Sequence, residues 1–169
     1  MKVTSAEAAK LLRKLNEDQA ALKEREDKSS TFVASIEEDA ESVRPVYDYA
    51  SVQKTLADYE KQVRQIKHAL NVFNQTTEVP GFDMTVDQLL VYIPQLSEKK
   101  RKLTIYAGRL PKEREKASGF GGKSIVEYKY ANYDIAKAQA DLEAVTEELS
   151  KAQTALDVIN NSLTLEIEL

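Results

Sequence analysis

The residues with the plainest capacity for chemistry are Gly122, Lys123 and Ser124, which reproduce the end of a phosphate-binding loop. The full pattern is G-x-x-x-x-G-K-[ST], and Ala117 stands where its first glycine belongs. The surroundings are also reversed. A phosphate loop follows a buried strand and opens a helix whose N-terminal amides hold the anion. Here a charged segment precedes the triplet and a strand-like stretch follows it, so it reads as a glycine linker.

A second chemical feature is charge. Lys99, Lys100, Arg101, Lys102, Arg109, Lys112, Arg114, Lys116 and Lys123 stand against Glu98, Glu113 and Glu115, a net of +6 in a chain whose total is −4. The remainder therefore carries −10. Such asymmetry can seat an anionic partner, either nucleic acid or the acidic part of a protein, a neighbouring subunit included. The plainer reading is a solvated helix end and loop. No aromatic-interleaved or groove-reading motif accompanies the charge, which argues against nucleic acid.

His68 is the single histidine. If Ile66 and Leu70 face a core, His68 faces water. No second histidine and no Glu-x-x-His pattern supports a ferritin-type metal site. The carboxylates follow exposed helix faces, where they serve solubility and i,i+4 pairing. Tyr128, Tyr130 and Tyr133, like Tyr47 and Tyr49, flank predicted helices and read as core or rim packing at a sheet–helix junction with hydroxyls in water, a ligand pocket there being the lesser alternative. No nucleophile, base and orienting group can be assembled. The expectation is a non-enzymatic protein with no cofactor and no metal.

The elements that position these residues are helical. Charged residues make up 31% of the 169 and apolar residues 42%, with five glycines and four prolines. That balance suits long helices better than a sandwich or barrel. There is no cysteine, so no disulfide or thiolate chemistry. The longest strongly apolar run, Leu89 to Ile93, falls far short of a membrane span, and the first residues have no signal-peptide pattern. A cytoplasmic protein is expected.

The strongest periodic stretch is Ile135 to Ile159. Its apolar residues Ile135, Ala138, Leu142, Val145, Leu149, Ala152, Leu156 and Ile159 alternate steps of three and four, the seam of a helix packing on helices. The same rhythm runs through Val52, Leu56, Tyr59, Val63, Ile66, Leu70 and Phe73. It recurs in Val86, Leu89, Ile93, Leu96, Lys100, Leu103, Ala107 and Leu110, where Pro94 predicts a bend and Lys100 takes a knob position. A weaker seam, Ala8, Leu11, Leu12, Leu15 and Leu22, follows the capping box Thr4-Ser5-Ala6-Glu7. Thr85 and Gln88 make a second box, and Pro80-Gly81 predicts a turn.

Three strands are expected: Thr31 to Ile36, where Phe32, Ala34 and Ile36 alternate, Ser124 to Tyr130, and Leu163 to Leu169. Arg109 to Lys123 reads as a loop. The fold class is therefore mainly α (α+β): a single domain over 1–169, a coiled-coil-like bundle of about four long helices with a small sheet of about three short strands at one end. So narrow a body, roughly 40 Å along its longest helix, completes its core by self-association, and a homo-oligomer is expected.

The stretches Val43-Arg44-Pro45, Asn71-Val72-Phe73-Asn74-Gln75-Thr76-Thr77, Gly81-Phe82-Asp83-Met84-Thr85 and Tyr130-Ala131-Asn132-Tyr133-Asp134, with Leu156-Asp157-Val158-Ile159-Asn160-Asn161, carry a resemblance. They resemble small bacterial helical proteins of unestablished function, some labelled septicolysin. The resemblance spans most of the chain and rests on turn and cap residues. It implies a cytoplasmic bacterial helical protein and, through the label, a membrane-active cytolysin, and it brings no site residues. The leading expectation is a structural or protein-interaction protein; the alternatives are anion binding through residues 99–123 and the cytolysin.

Overall fold

A computed structural model describes residues 1–115 and 126–168. The triplet Gly122-Lys123-Ser124, with Ala117, Lys116 and the start of the predicted strand at Ser124, lies outside the described residues. Among these the chain is mainly helical, with five helices, four of them long, and two separate two-stranded antiparallel sheets. It divides into two compact units, Met1–Thr77 with Val158–Leu169, and Glu78–Asp157.

The first unit opens with β1 (Lys2–Thr4) and α1 (Ser5–Ser29). The capping box is formed: Glu7 N–H donates to Thr4 Oγ1 at 3.2 Å, and Thr4 N–H donates to Glu7 Oε2 at 2.9 Å. Two otherwise orphaned amides are satisfied, which fixes where the helix starts. A short α2 (Ala40–Val43) precedes α3 (Tyr49–Thr76), whose first turn is capped by Asp48 accepting from Ser51 N–H at 3.1 Å. α1 and α3 pack on each other. Ala8 and Leu15 of α1 and Leu56, Ile66 and Phe73 of α3 are buried, and every other predicted seam position of α3 is half-buried. Full burial of a side chain the size of Ile66 stabilises by about 1.5–3 kcal/mol. The pair is antiparallel, because Glu26 near the end of α1 accepts from Tyr47 Oη (2.8 Å) and Gln53 Nε2 (2.7 Å) at the start of α3.

The same unit holds the last turn of α5 (Ile135–Ser162) and β4 (Thr164–Glu166). β4 pairs antiparallel with β1 in the register Lys2↔Glu166, Val3↔Leu165, Thr4↔Thr164, extended by Ile167 N–H donating to Met1 O at 2.8 Å. Leu165 and Ile167 are buried, as their alternation predicts. The predicted strand over Thr31 to Ile36 is absent. Residues 31–35 have no regular structure, and Ile36 begins a turn closed by Glu38 N–H on Ser35 O at 3.2 Å. Its alternation has no covered face to act on, since Val33 is 93% exposed and Ile36 wholly exposed.

The second unit begins with a type II turn at Val79-Pro80-Gly81-Phe82, where Phe82 N–H donates to Val79 O at 3.1 Å. Gly81 has φ +83°, a value that L side chains adopt only under strain. α4 (Val86–Ala107) follows and runs unbroken through Pro94. Pro94 and Leu90 both lie on the exposed face, so the Leu90 carbonyl that the ring displaces can be hydrated. Val86, Leu89 and Leu96 are buried, while Lys100 is half-buried on the seam. The helix stops at Ala107 with Gly108 as cap, so Leu110 lies beyond the seam and is exposed. On α5 the seam residues Ala138, Val145, Leu149 and Ala152 are buried. α4 and α5 also run antiparallel, with Gln139 Nε2 donating to Ala107 O at 3.4 Å and Tyr92 Oη donating to Glu148.

Between α4 and α5 lies the second sheet, β2 (Lys112–Arg114) with β3 (Tyr128–Tyr130). Two sheets of two strands thus replace the one sheet of three expected. Each contains a strand, β1 or β2, that the sequence does not announce.

Candidate functional site

The β2–β3 ribbon is where the structure gathers charge and aromatic rings. Its register is Lys112↔Tyr130, Glu113↔Lys129 and Arg114↔Tyr128. The ladder extends at both ends, through Ala131 N–H to Pro111 O (3.1 Å) and Glu115 N–H to Glu127 O (2.9 Å). Directly opposed residues share a face and successive residues alternate faces. One face therefore carries Lys112, Arg114, Tyr128 and Tyr130, two cations and two phenols. The other carries Glu113, Glu115, Glu127 and Lys129, three carboxylates and one ammonium. The ribbon is electrically two-sided.

Every residue from Arg109 to Glu115 and from Val126 to Tyr130 is exposed. A lone two-stranded hairpin is marginal in water, and local side-chain contacts support this one. Lys112 Nζ sits 4.0 Å from the Tyr128 ring centroid and 5.5 Å from that of Tyr130. Each such contact at an exposed site contributes about 0.5–1 kcal/mol. Tyr128 remains 46% exposed and Tyr130 62%, so neither is the core or rim packing expected of them.

A second aromatic cluster marks the end of α4. The Tyr106 and Tyr133 rings stack with centroids 5.0 Å apart, and Arg109 Cζ and Lys102 Nζ lie 5.1 and 5.5 Å from the Tyr106 centroid. Tyr133 Oη donates to Tyr106 O at 2.8 Å, not to water as expected, which pins the start of α5 to the end of α4.

The predicted basic set is thus divided. Lys112 and Arg114 meet on the ribbon face, and Lys102 and Arg109 meet on Tyr106. Lys99 is exposed on α4, and Lys100 is half-buried on the seam. Arg101 is held by Glu98 through two hydrogen bonds of 2.9 and 2.6 Å; these bonds keep the Glu98 carboxyl below its usual range and raise the guanidinium. Lys116 and Lys123 lie outside the described residues. Tyr128 and Tyr130 complete the ribbon face and were not among the predicted site residues. A Lys112-x-Arg114 pair before the glycine-rich stretch and a Tyr128-x-Tyr130 pair after it, both at strand spacing, is the signal that could have found them. The aromatic interleaving missing along the sequence is made across the strands.

His68 is exposed, as expected, beside an open groove of about 520 Å³ between α3 and β4, lined also by Val72, Phe73 and Leu165. Among the described residues no cluster of three or more histidine, aspartate or glutamate side chains could hold a metal ion. No helix among them is long and apolar enough to cross a membrane.

No family model and no curated protein matches the chain. A solved structure does: a functionally unknown conserved protein from Corynebacterium diphtheriae, 14% identical, with a TM-score of 0.62 over 98% of this chain and 100% of the other. That likeness establishes a shared fold with a bacterial protein.

Proposed function

We propose that this is a non-enzymatic interaction protein whose helices present the β2–β3 ribbon to an anionic protein surface. The observation that carries the reading is the ribbon's segregation: Lys112, Arg114, Tyr128 and Tyr130 on one exposed face. Cations flanked by flat amphipathic rings suit a surface that offers carboxylates beside apolar groups. Nucleic acid is the weaker reading, since three carboxylates line the ribbon's other face and the whole chain carries −4. A cytoplasmic setting and a homo-oligomeric state, both expected from the sequence, belong to the same proposal.

The test is a photo-crosslinking amino acid placed at Tyr130 in living bacteria. A discrete protein adduct that disappears when Lys112 and Arg114 are both changed to glutamine supports the reading. No protein adduct, or one indifferent to those changes, defeats it.

A further inference from the structure

The ribbon has a complement elsewhere in the chain. Within the connection between α1 and α3, residues 33–46 carry Glu37, Glu38, Asp39 and Glu41 against Arg44, a net of −3. Arg44 is already paired with Glu41 at 2.5 Å. Among these carboxylates stand apolar side chains in water: Val33 is 93% exposed, and Ile36 and Val46 wholly so. Single exposed apolar residues are ordinary, but three within fourteen residues, set among carboxylates, offer apolar area for a partner to cover.

We infer that residues 33–46 of one copy dock on the Lys112–Arg114–Tyr128–Tyr130 face of a second copy. The carboxylates match the two cations, and the aliphatic side chains match the two rings. The ribbon's own acidic face is the poorer occupant, because Glu113, Glu115, Glu127 and Lys129 give the rings no apolar group to cover. Neither patch can pair with its like, since cation would meet cation or carboxylate meet carboxylate. The contact is therefore heterologous, and each bound copy keeps one free ribbon or one free acidic segment. Unless the rotation closes a ring, such contacts grow into open chains. With exposed charges on both sides, salt weakens the contact over a Debye length of about 8–10 Å.

This inference rests on the reading of the ribbon as a protein-binding surface. The experiment is sedimentation velocity of the purified full chain from low micromolar concentration upward, at low and high salt. One variant carries K112E and R114E, the other E37K and E38K; all four positions are exposed, and circular dichroism verifies their folding. The mean mass of the unchanged protein should rise with concentration and fall with salt. Each variant alone should lose about a hundredfold or more in apparent affinity. An equal mixture of the two should associate again, because each ribbon then meets a segment of opposite charge. A protein that stays monomeric, an E37K/E38K variant that associates normally, or a mixture that stays monomeric overturns the inference. If the protein is monomeric while crosslinks at Tyr130 persist, the ribbon serves another partner; if both fail, the ribbon reading falls too.

Discussion

Ser5 donates its hydroxyl to Asn160 Oδ1 at 2.6 Å, across 155 residues of sequence. Ser5 is the first residue of α1 and is 7% exposed; Asn160 lies in the last turn of α5. This bond sits beside the β1–β4 ladder and ties the two helix ends there.

Ser5→Ala removes the donor while leaving the cap at Thr4 intact. A net loss of about 1 kcal/mol is expected. A double-mutant cycle with Asn160→Ala, read by urea midpoints, should return a coupling of similar size. Additive effects would show that the two residues act separately.

At Gly81 the cost of a side chain is confined to the backbone, because an added Cβ meets nothing within 4 Å. Gly81→Ala should destabilise by about 1–2 kcal/mol. Gly81→Asn should cost less, since asparagine tolerates a positive φ better. Thermal unfolding of both variants checks this order.

Tyr47 gives the fold an alkaline limit. Its phenol is pushed up to about 12 from an ordinary 10.0, first by loss of surrounding water, then by its hydrogen bond to Glu26 and that residue's charge. The folded chain therefore keeps this proton after the unfolded chain has lost it. The contribution is whole below pH 10 and disappears as pH rises from 10 toward 12. Tyr47→Phe should lower stability at neutral pH and flatten the decline above pH 10. A difference between the two proteins that does not change with pH would contradict this.

Ile66 and Val33 form a contrast. Ile66→Ala should cost about 2–5 kcal/mol, because Ile66 is fully buried and the truncation both loses its apolar burial and leaves a cavity that collapses only in part. Val33→Ser should change the urea midpoint by no more than about 0.5 kcal/mol equivalent. A large loss at Val33 would mean that the acidic segment supports its own unit.

The helices were legible because long periods average over many residues. All eight seam positions of α5 and all seven of α3 are buried or half-buried, and the lysine expected on the α4 seam is half-buried there. The three-residue strands were not. Lys2-Val3-Thr4 is too short to show alternation, and Lys112-Glu113-Arg114 shows only charge. Phe32, Ala34 and Ile36 do alternate, but alternation foretells a strand only where something covers one side. The ribbon's two faces arise from register, which depends on residues far apart in sequence, so the individual cations were visible and their pairing with Tyr128 and Tyr130 was not.

The β1–β4 pairing also imposes an order on synthesis. Residues 78–157 are contiguous and can gather as soon as they leave the ribosome. The unit holding α1 and α3 is discontinuous, and Val3 has no strand to join until Leu165 has been made. The residues of β1 are therefore among the last of this unit to find their partners. At about 5–20 residues per second, β1 stays unpaired for roughly ten seconds or more while the chain between Val3 and Leu165 is made, so α1 and α3 can pack before their sheet closes.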